Sequence, residues 1–428
     1  MTKNDQAWES LFASHDILAA VERAGFYRIS ATTINQEREA RLMTKFDQEV
    51  NLPQIFKDHQ LSILPDSRGS YLIGRFQTYQ TIENDETIEV VDMALPTDIE
   101  SINPTNLYSE AAALLCAYNS QIIDDLIGEE VRFTVGGRMS TGRFEYDIKL
   151  GGSLNGSQHI VVNNAQAEID GGFESASNLV LIEAKNYSAP DFLIRQLYYP
   201  YRLWRGKTRK QVIPVFMSFS NDVFSFYLYR FADDAVYNSI ELVTQKKYRI
   251  APLNIQPEDI VALLTEVERQ PALPEPTTVP FPQANSFVRV FDLLGLLCAN
   301  ERLSKEQITT NYAFNARQTD YYTNAAIYLG LVQKHRERGS DVEYSLTDEG
   351  KHIYSMPTRG RRLALVRSIL RHRVFARALR LYLNNSVRPS VQSVVEIMKD
   401  ERIRVKSTTM PRRAQTVQSW VDWILKLG

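Results

Sequence analysis

The chain has 428 residues, with 49 Lys or Arg against 51 Asp or Glu, a formal net charge of −2 and 44% hydrophobic residues. Single cores stop growing near about 250–300 residues, so more than one domain is expected. No apolar run approaches the roughly 20 residues of a membrane span, and Met1–Gln6 lacks the apolar core of a signal peptide. Cys116 and Cys298 sit in apolar helical contexts that suit buried thiols in a reducing cytoplasm. The absence of a Cys/His cluster at zinc spacing and of a Gly-rich phosphate loop leads us to expect neither a zinc site nor ATP dependence.

In chain order, residues 1–100 read as a mixed helix and strand segment. Phe46-Asp47-Gln48-Glu49-Val50 leads into Leu52-Pro53, and a turn at Leu64–Gly69 precedes a strand over 70–76. No catalytic signal stands out there. A helix is expected over 105–127, then strands around 131–149 with turn signals at Gly136-Gly137 and Gly151-Gly152. Arg138 and Arg143 flank Ser140-Thr141-Gly142, either as phosphate contacts or as surface arginines on a hairpin.

The most informative stretch follows. Ile169-Asp170 closes one apolar strand, Gly171–Ser177 reads as a tight connection, and Asn178-Leu179-Val180-Leu181-Ile182-Glu183-Ala184-Lys185 forms the next strand. Side chains alternate along a strand, so Glu183 and Lys185 share a face while Ala184 points into the fold. If the two strands pair, Asp170 falls beside Glu183. A helical stretch over 191–199 carries Gln196, and strands at 211–219 and 223–229 meet at Ser220-Asn221-Asp222. Helix, strands, helix, strands is the order of an α/β (α+β) core with a mixed central sheet, expected over 101–262.

Acid, spacer, acid-x-Lys resembles the active site of the PD-(D/E)XK nucleases, the superfamily of most type II restriction endonucleases. Ile169 stands where the nominal motif has Pro. The resemblance implies Asp170 and Glu183 as Mg²⁺ ligands together with the Ala184 carbonyl. It implies Lys185 as the group that orients the attacking water and stabilises transition-state charge. It also places Gln196 facing the site and Glu110 as an accessory acid on the first core helix. Without the resemblance, the same residues are a hairpin ending in a solvated Glu-Lys pair.

Five prolines within Gln270–Gln283 mark a linker over 263–284. Residues 285–356 then resemble a winged helix. Phe287–Leu297 is amphipathic, Ser304 and Gln307 form a capping box, and Asn315–Tyr322 opens a third helix. Two strands bracket the polar tip Arg336–Ser340, and Leu346-Thr347-Asp348-Glu349-Gly350 resembles the family's usual ending. The third helix of that family enters the major groove, which makes Arg317, Gln318, Tyr321 and Asn324 its contact candidates. The alternative is a protein-docking module. Residues 357–428 are expected to be basic and helical, a second winged helix being one reading, with helices over 361–384, 390–399 and 411–427. Arg412, Arg413 and Gln415 would make its contacts, Arg361, Arg362, Arg371, Arg373, Arg377 and Arg380 would touch phosphate, and Trp420, Trp423, Ile424 and Leu427 would be core.

From Pro357 to Gly428 there are sixteen Lys or Arg against four acids, a net +12 that leaves −14 for residues 1–356. Such asymmetry suggests a polyanion partner, or else a surface that docks on the acidic body. The expected function is therefore a cytoplasmic type II-like restriction endonuclease. It would cut double-stranded DNA with Mg²⁺, dimerise at least transiently, and have a cognate methyltransferase as its genetic partner. The competing readings are a modification-dependent or structure-specific DNA nuclease and a non-catalytic DNA-binding regulator.

Overall fold

Alternation decides the middle of the molecule. Along Asn178–Lys185, Leu179 and Leu181 join one buried cluster with Leu197, Tyr199 and Phe216. Val180, Ile182 and Ala184 join another with Ala113, Leu114 and Val215. A strand buried on both faces must be central. In the computed structural model, which describes residues 2–107, 109–151, 156–250, 254–311, 314–336 and 341–427, it is the fifth strand of a seven-stranded mixed sheet. The order is Val90–Met93, Ile240–Ile250, Val223–Phe231, Gln211–Ser220, Asn178–Lys185, Gln166–Glu174 and Arg132–Ser140. Asn178–Lys185 runs parallel to Gln211–Ser220 and antiparallel to Gln166–Glu174. Parallel neighbours need a crossover, and the helix Arg195–Arg205 supplies it on one face. The helices Glu110–Asn119 and Ile122–Ile127 cover the other.

Several boundaries differ from the expectation. The helix foreseen over 105–127 is two helices, because Gln121 adopts a left-handed φ of 59° between them. Gly171-Gly172-Phe173-Glu174 is strand, not connection, so the turn shrinks to residues 175–177. Glycine is needed there for close approach. A Cβ on Gly171 would lie 2.5 Å from Leu114 Cδ2, and one on Gly172 2.6 Å from Val135 Cβ. Asp191–Leu193 is a short strand paired with Tyr79–Thr81, so the following helix begins only at Arg195.

The N-terminal segment shares a sheet with this core. Phe26–Ser30, Ser70–Gly74 and Ser62–Ser67 continue, through the pair Ser67–Asn163, into Ser157–Asn163 and Arg143–Lys149. One five-stranded sheet thus joins the two segments. Gly151 belongs to the turn region beside it, while Gly152 lies outside the described residues.

Residues 287–355 form the helices Phe287–Ala299, Lys305–Asn311 and Ala316–Tyr328 with a small sheet in the order Leu303–Ser304, Glu343–Leu346, Val332–His335. Ser304 and Gln307 cap each other as expected: the Gln307 amide donates to Ser304 Oγ at 3.2 Å and the Ser304 amide to Gln307 Oε1 at 2.7 Å. Residues 337–340 of the polar tip lie outside the described residues.

The C-terminal module departs most. Thr358–Leu370, Arg373–Asn385, Val391–Asp400 and Met410–Leu425 are helices, and no strand occurs there among the described residues, so it has no wing. Trp420, Trp423, Ile424 and Leu427 are core, as expected. The helix Pro257–Glu268 reaches into the expected linker, and Phe281 and Ala284 bury themselves against the C-terminal helices, so the proline-rich stretch is docked rather than a free spacer.

Half of the sixteen basic side chains of this module have an ion pair within the chain. Arg359, Arg367 and Arg380 meet Asp259, Glu266 and Glu268 along the helix Pro257–Glu268 at 2.8, 2.5 and 2.6 Å. Arg377 pairs with Asp400 and Glu401, Arg388 with Asp422, and Lys426 with Glu86. Arg361 and Arg362 are 0% exposed. They clasp Asp222, each at 2.9 Å, at the tip of the hairpin Gln211–Phe231. That tip forms because Asn221 and Asp222 both accept left-handed φ, at 54° and 58°. Of the six arginines expected to touch phosphate, only Arg371 and Arg373 are exposed without an ion pair among the described residues. Part of the charge asymmetry is thus spent on docking to the acidic body.

Candidate active site

The strands Gln166–Glu174 and Asn178–Lys185 pair up to Ile182 and Gly171 and then part. The next two residues are Glu183 and Asp170, so the acids do fall side by side. Beyond the last pair, Asp170 Oδ2 accepts the Ala184 N–H at 2.8 Å, taking the place of a ladder bond. A carboxylate is therefore fixed where the sheet opens.

Glu183 and Lys185 share the face opposite Ala184, and both are buried. Lys185 Nζ donates to Glu183 Oε1 at 2.5 Å and to the Ala184 carbonyl at 3.2 Å. It also lies 3.7 Å from Glu110 Oε1, at the first turn of the helix Glu110–Asn119. Gln196, near the start of the crossover helix, donates through Nε2 to the same Glu183 Oε1. The structure thus brings together all five side chains singled out from the sequence: Asp170, Glu183, Lys185, Gln196 and Glu110.

Burial pushes the Glu183 carboxyl up to about 8 against the opposing pull of Lys185, with Asp170 and Asp47 adding to the rise. Burial raises Glu110 as well. For Lys185, desolvation favours the neutral amine, but Glu183, Glu110 and Asp47 outweigh it and hold the ammonium well above its usual range. The pocket holds more carboxylate than its one buried lysine neutralises, and a raised carboxyl calls for a proton or another cation.

These groups line a pocket of about 100 Å³. Three of its other members gave no signal in the sequence: Lys45, Asp47 and Arg195. Asp47 arrives from the N-terminal segment, held by the bond from the Leu193 amide to its carbonyl at 3.0 Å. Nothing local in Phe46-Asp47-Gln48 announces that long-range placement. Arg195 could have been suspected, since it precedes Gln196 at the helix start. Asp47 Oδ1, Arg195 Nε and Gln196 Oε1 are shielded from solvent without a hydrogen-bond partner. Such orphaned atoms are costly and accumulate where a ligand is meant to complete them. Lys45, Asp47, Glu110 and Lys185 also line a larger cleft of about 680 Å³ that runs between the N-terminal segment and the helix Lys305–Asn311.

The donor set suits a hard divalent cation: two carboxylates, Asp170 and Glu183, and one peptide carbonyl, Ala184. Among the described residues no three His, Cys, Asp or Glu side chains group as a metal cage. A site of two side chains and one carbonyl does not need one, because Mg²⁺ keeps several waters.

The other candidates lie elsewhere. Arg317 is exposed and Tyr321 and Asn324 half-buried on one face of Ala316–Tyr328, and Arg317 donates to the Tyr321 hydroxyl. Gln318 is occupied as a cap, its Oε1 accepting the Asn315 amide at 3.0 Å. Arg412 and Gln415 are exposed on the first turns of Met410–Leu425. Arg413 is half-buried near Tyr321, and its Nε and Nη1 lack partners. The two candidate faces therefore adjoin. Arg138 pairs across strands with Glu168 at 3.2 Å, and Arg143 is exposed; neither lines this pocket.

Three families match in tandem, each described as a domain of unknown function: DUF6996 over residues 5–73, DUF6997 over 74–249 and DUF7226 over 289–428. The sheet junction at Ser67–Asn163 spans the first two, and so does the pocket, with Asp47 in one and Asp170, Glu183 and Lys185 in the other. No curated protein and no solved structure matches the chain. No helix among the described residues is long and apolar enough to cross a membrane.

Proposed function

We propose that the chain is a Mg²⁺-dependent DNA endonuclease of the PD-(D/E)XK type, acting as a restriction enzyme. The observation that carries this reading is the convergence of Asp170, Glu183, Lys185 and Gln196 where two central strands part. A structural Glu-Lys pair would have no need of a second carboxylate, a glutamine and orphaned polar atoms around it. The restriction-endonuclease-like core and the winged helix at 285–356 belong to the same proposal. The mixed sheet supports the first, and the three helices with their three-strand sheet support the second.

Asp170, Glu183 and the Ala184 carbonyl would hold the metal, which polarises a phosphodiester and lowers the pKa of a bound water. The remaining work falls to the chain. Lys185 presents an ammonium to the phosphoryl oxygens, a fixed positive charge in a site shielded from water. Gln196 fixes the Glu183 carboxylate by donating from its Nε2 to Glu183 Oε1. Glu110 holds Lys185 from the opposite side. Arg317, Tyr321 and Asn324, with Arg412 and Arg413 beside them, are the proposed contacts to double-stranded DNA.

Digestion of unmethylated phage DNA with Mg²⁺ or with EDTA tests the reading. Discrete Mg²⁺-dependent fragments with defined ends are expected. Cutting only of DNA carrying modified cytosines would move the proposal to a modification-dependent nuclease. Binding without cutting on either substrate would leave a DNA-binding regulator.

A further inference from the structure

The N-terminal segment holds two exposed cations beside the pocket, Arg41 and Lys45. The short helix Ala40–Thr44 is anchored by the burial of Ala40 and Met43 and by the Trp8 indole, which donates to the Met43 carbonyl at 2.9 Å. Arg41 and its C-cap residue Lys45 lie four residues apart, on one face, and both are exposed. Both line the cleft of about 680 Å³. Lys45 also lines the catalytic pocket, with Asp47 3.7 Å away. Arg38, the neighbouring cation of the same cleft, is already committed to Glu306 and Asn4 at 2.7 and 2.6 Å. Arg41 has no ion pair among the described residues.

Like charges one helical turn apart repel each other, and an anion between them removes the penalty. Lys185 and Lys45 line both the pocket and the cleft, and Arg41 lines the cleft with them. A phosphodiester chain places one negative charge on each nucleotide. Four of the six C-terminal arginines that composition suggested for this task are paired within the chain, whereas Arg41 and Lys45 are exposed beside the pocket.

We infer that Lys45 and Arg41 form a phosphate track that holds the backbone of the substrate strand next to the bond being cut. The inference rests on the nuclease reading and deepens it: the N-terminal segment helps to bind substrate as well as supporting the core. Such contacts supply affinity and register but no sequence information.

The test uses the full chain carrying Asp170→Asn, so that binding is read without cleavage. The affinity for a fluorescein-labelled DNA duplex is measured against NaCl concentration, with and without Arg41→Gln and Lys45→Gln. Each lost phosphate contact flattens the slope of log K against log salt by about 0.9, so the double variant should lose about 1.8. Lys45→Arg should restore its share. Both residues are exposed, and an unchanged melting temperature verifies the fold; should the double variant melt early, the single variants are read instead. An unchanged slope and affinity overturn the inference. Cleavage by the otherwise wild-type chain is followed in parallel. A chain that cuts DNA but shows no slope change refutes the track alone, whereas a slope change in a chain that never cuts supports the track and refutes the nuclease reading.

Discussion

Two clusters of buried charge sit at the same end of the central sheet, and they are built in opposite ways. At the hairpin tip, Asp222 is clasped by two guanidinium groups. Arg362 also donates to the Asn221 carbonyl at 2.6 Å and lies 4.2 Å from the centre of the Phe291 ring. Every contact there ties the C-terminal helices to the core. In the pocket, the carboxylates outnumber the buried cation, and Asp47, Arg195 and Gln196 each leave an atom unanswered. In the first cluster both guanidinium groups meet the Asp222 carboxylate within the folded chain. The second has the deficit of a site that awaits a ligand. Charge alone does not distinguish them; the difference lies in which groups the fold has already paired.

The largest expected effect falls on the first cluster. Asp222→Ala leaves two arginines buried without their carboxylate, and breaking a buried pair costs about 3–5 kcal/mol. Denaturant unfolding should show that loss, or an early separate transition of the C-terminal module. A change below about 1 kcal/mol would place the pair among surface bridges and remove the contrast. In the pocket the balance is reversed. Asp170→Ala or Lys185→Ala should lower the cleavage rate by about 10²–10³-fold or more, with DNA affinity and melting temperature nearly unchanged. Gly171→Ala sharpens the comparison from the packing side. Its Cβ would press on Leu114, so a loss of about 1–3 kcal/mol in denaturant unfolding is expected.

A smaller effect concerns Asp292, which holds Ser188, Ser220 and Asn221 from the helix Phe287–Ala299. Burial pushes its carboxyl up to about 7. The folded chain therefore binds a proton there that the unfolded chain has released above its model value of 3.8. Stability from this group is full at low pH and is lost as pH rises through about 7. Melting temperatures between these pH values should fall less steeply for Asp292→Asn than for the wild type, and an identical slope would contradict the assignment. The smallest effect belongs to the surface pairs. Arg380→Ala should cost no more than about 1 kcal/mol and leave DNA affinity unchanged. A marked loss of DNA affinity would return the C-terminal module to the role that its composition suggested.

Much of the pocket was legible in the sequence because its core is local. Strand alternation puts Glu183 and Lys185 on one face, and hairpin pairing brings Asp170 beside them. Gln196 follows on the next helix. Asp47 and Lys45 were not legible, since only the Leu193–Asp47 backbone bond and the packing of a distant helix deliver them. The Gly171-Gly172 pair was read as a turn, because glycine's tolerance of close packing looks the same in sequence as its tolerance of unusual φ. The share of the basic tail that docks on the body was not legible for a related reason. Composition counts charges, but only the folded chain shows Arg361 and Arg362 turned inward and Arg359, Arg367 and Arg380 meeting one acidic helix edge.

The most direct test of the account compares wild type, Asp170→Asn and Asp222→Asn for cleavage of supercoiled DNA in Mg²⁺, alongside their unfolding curves. The account predicts that Asp170→Asn abolishes cleavage while keeping the wild-type unfolding curve, and that Asp222→Asn destabilises the chain while the fraction still folded cuts. Loss of stability without loss of cleavage in Asp170→Asn would contradict it.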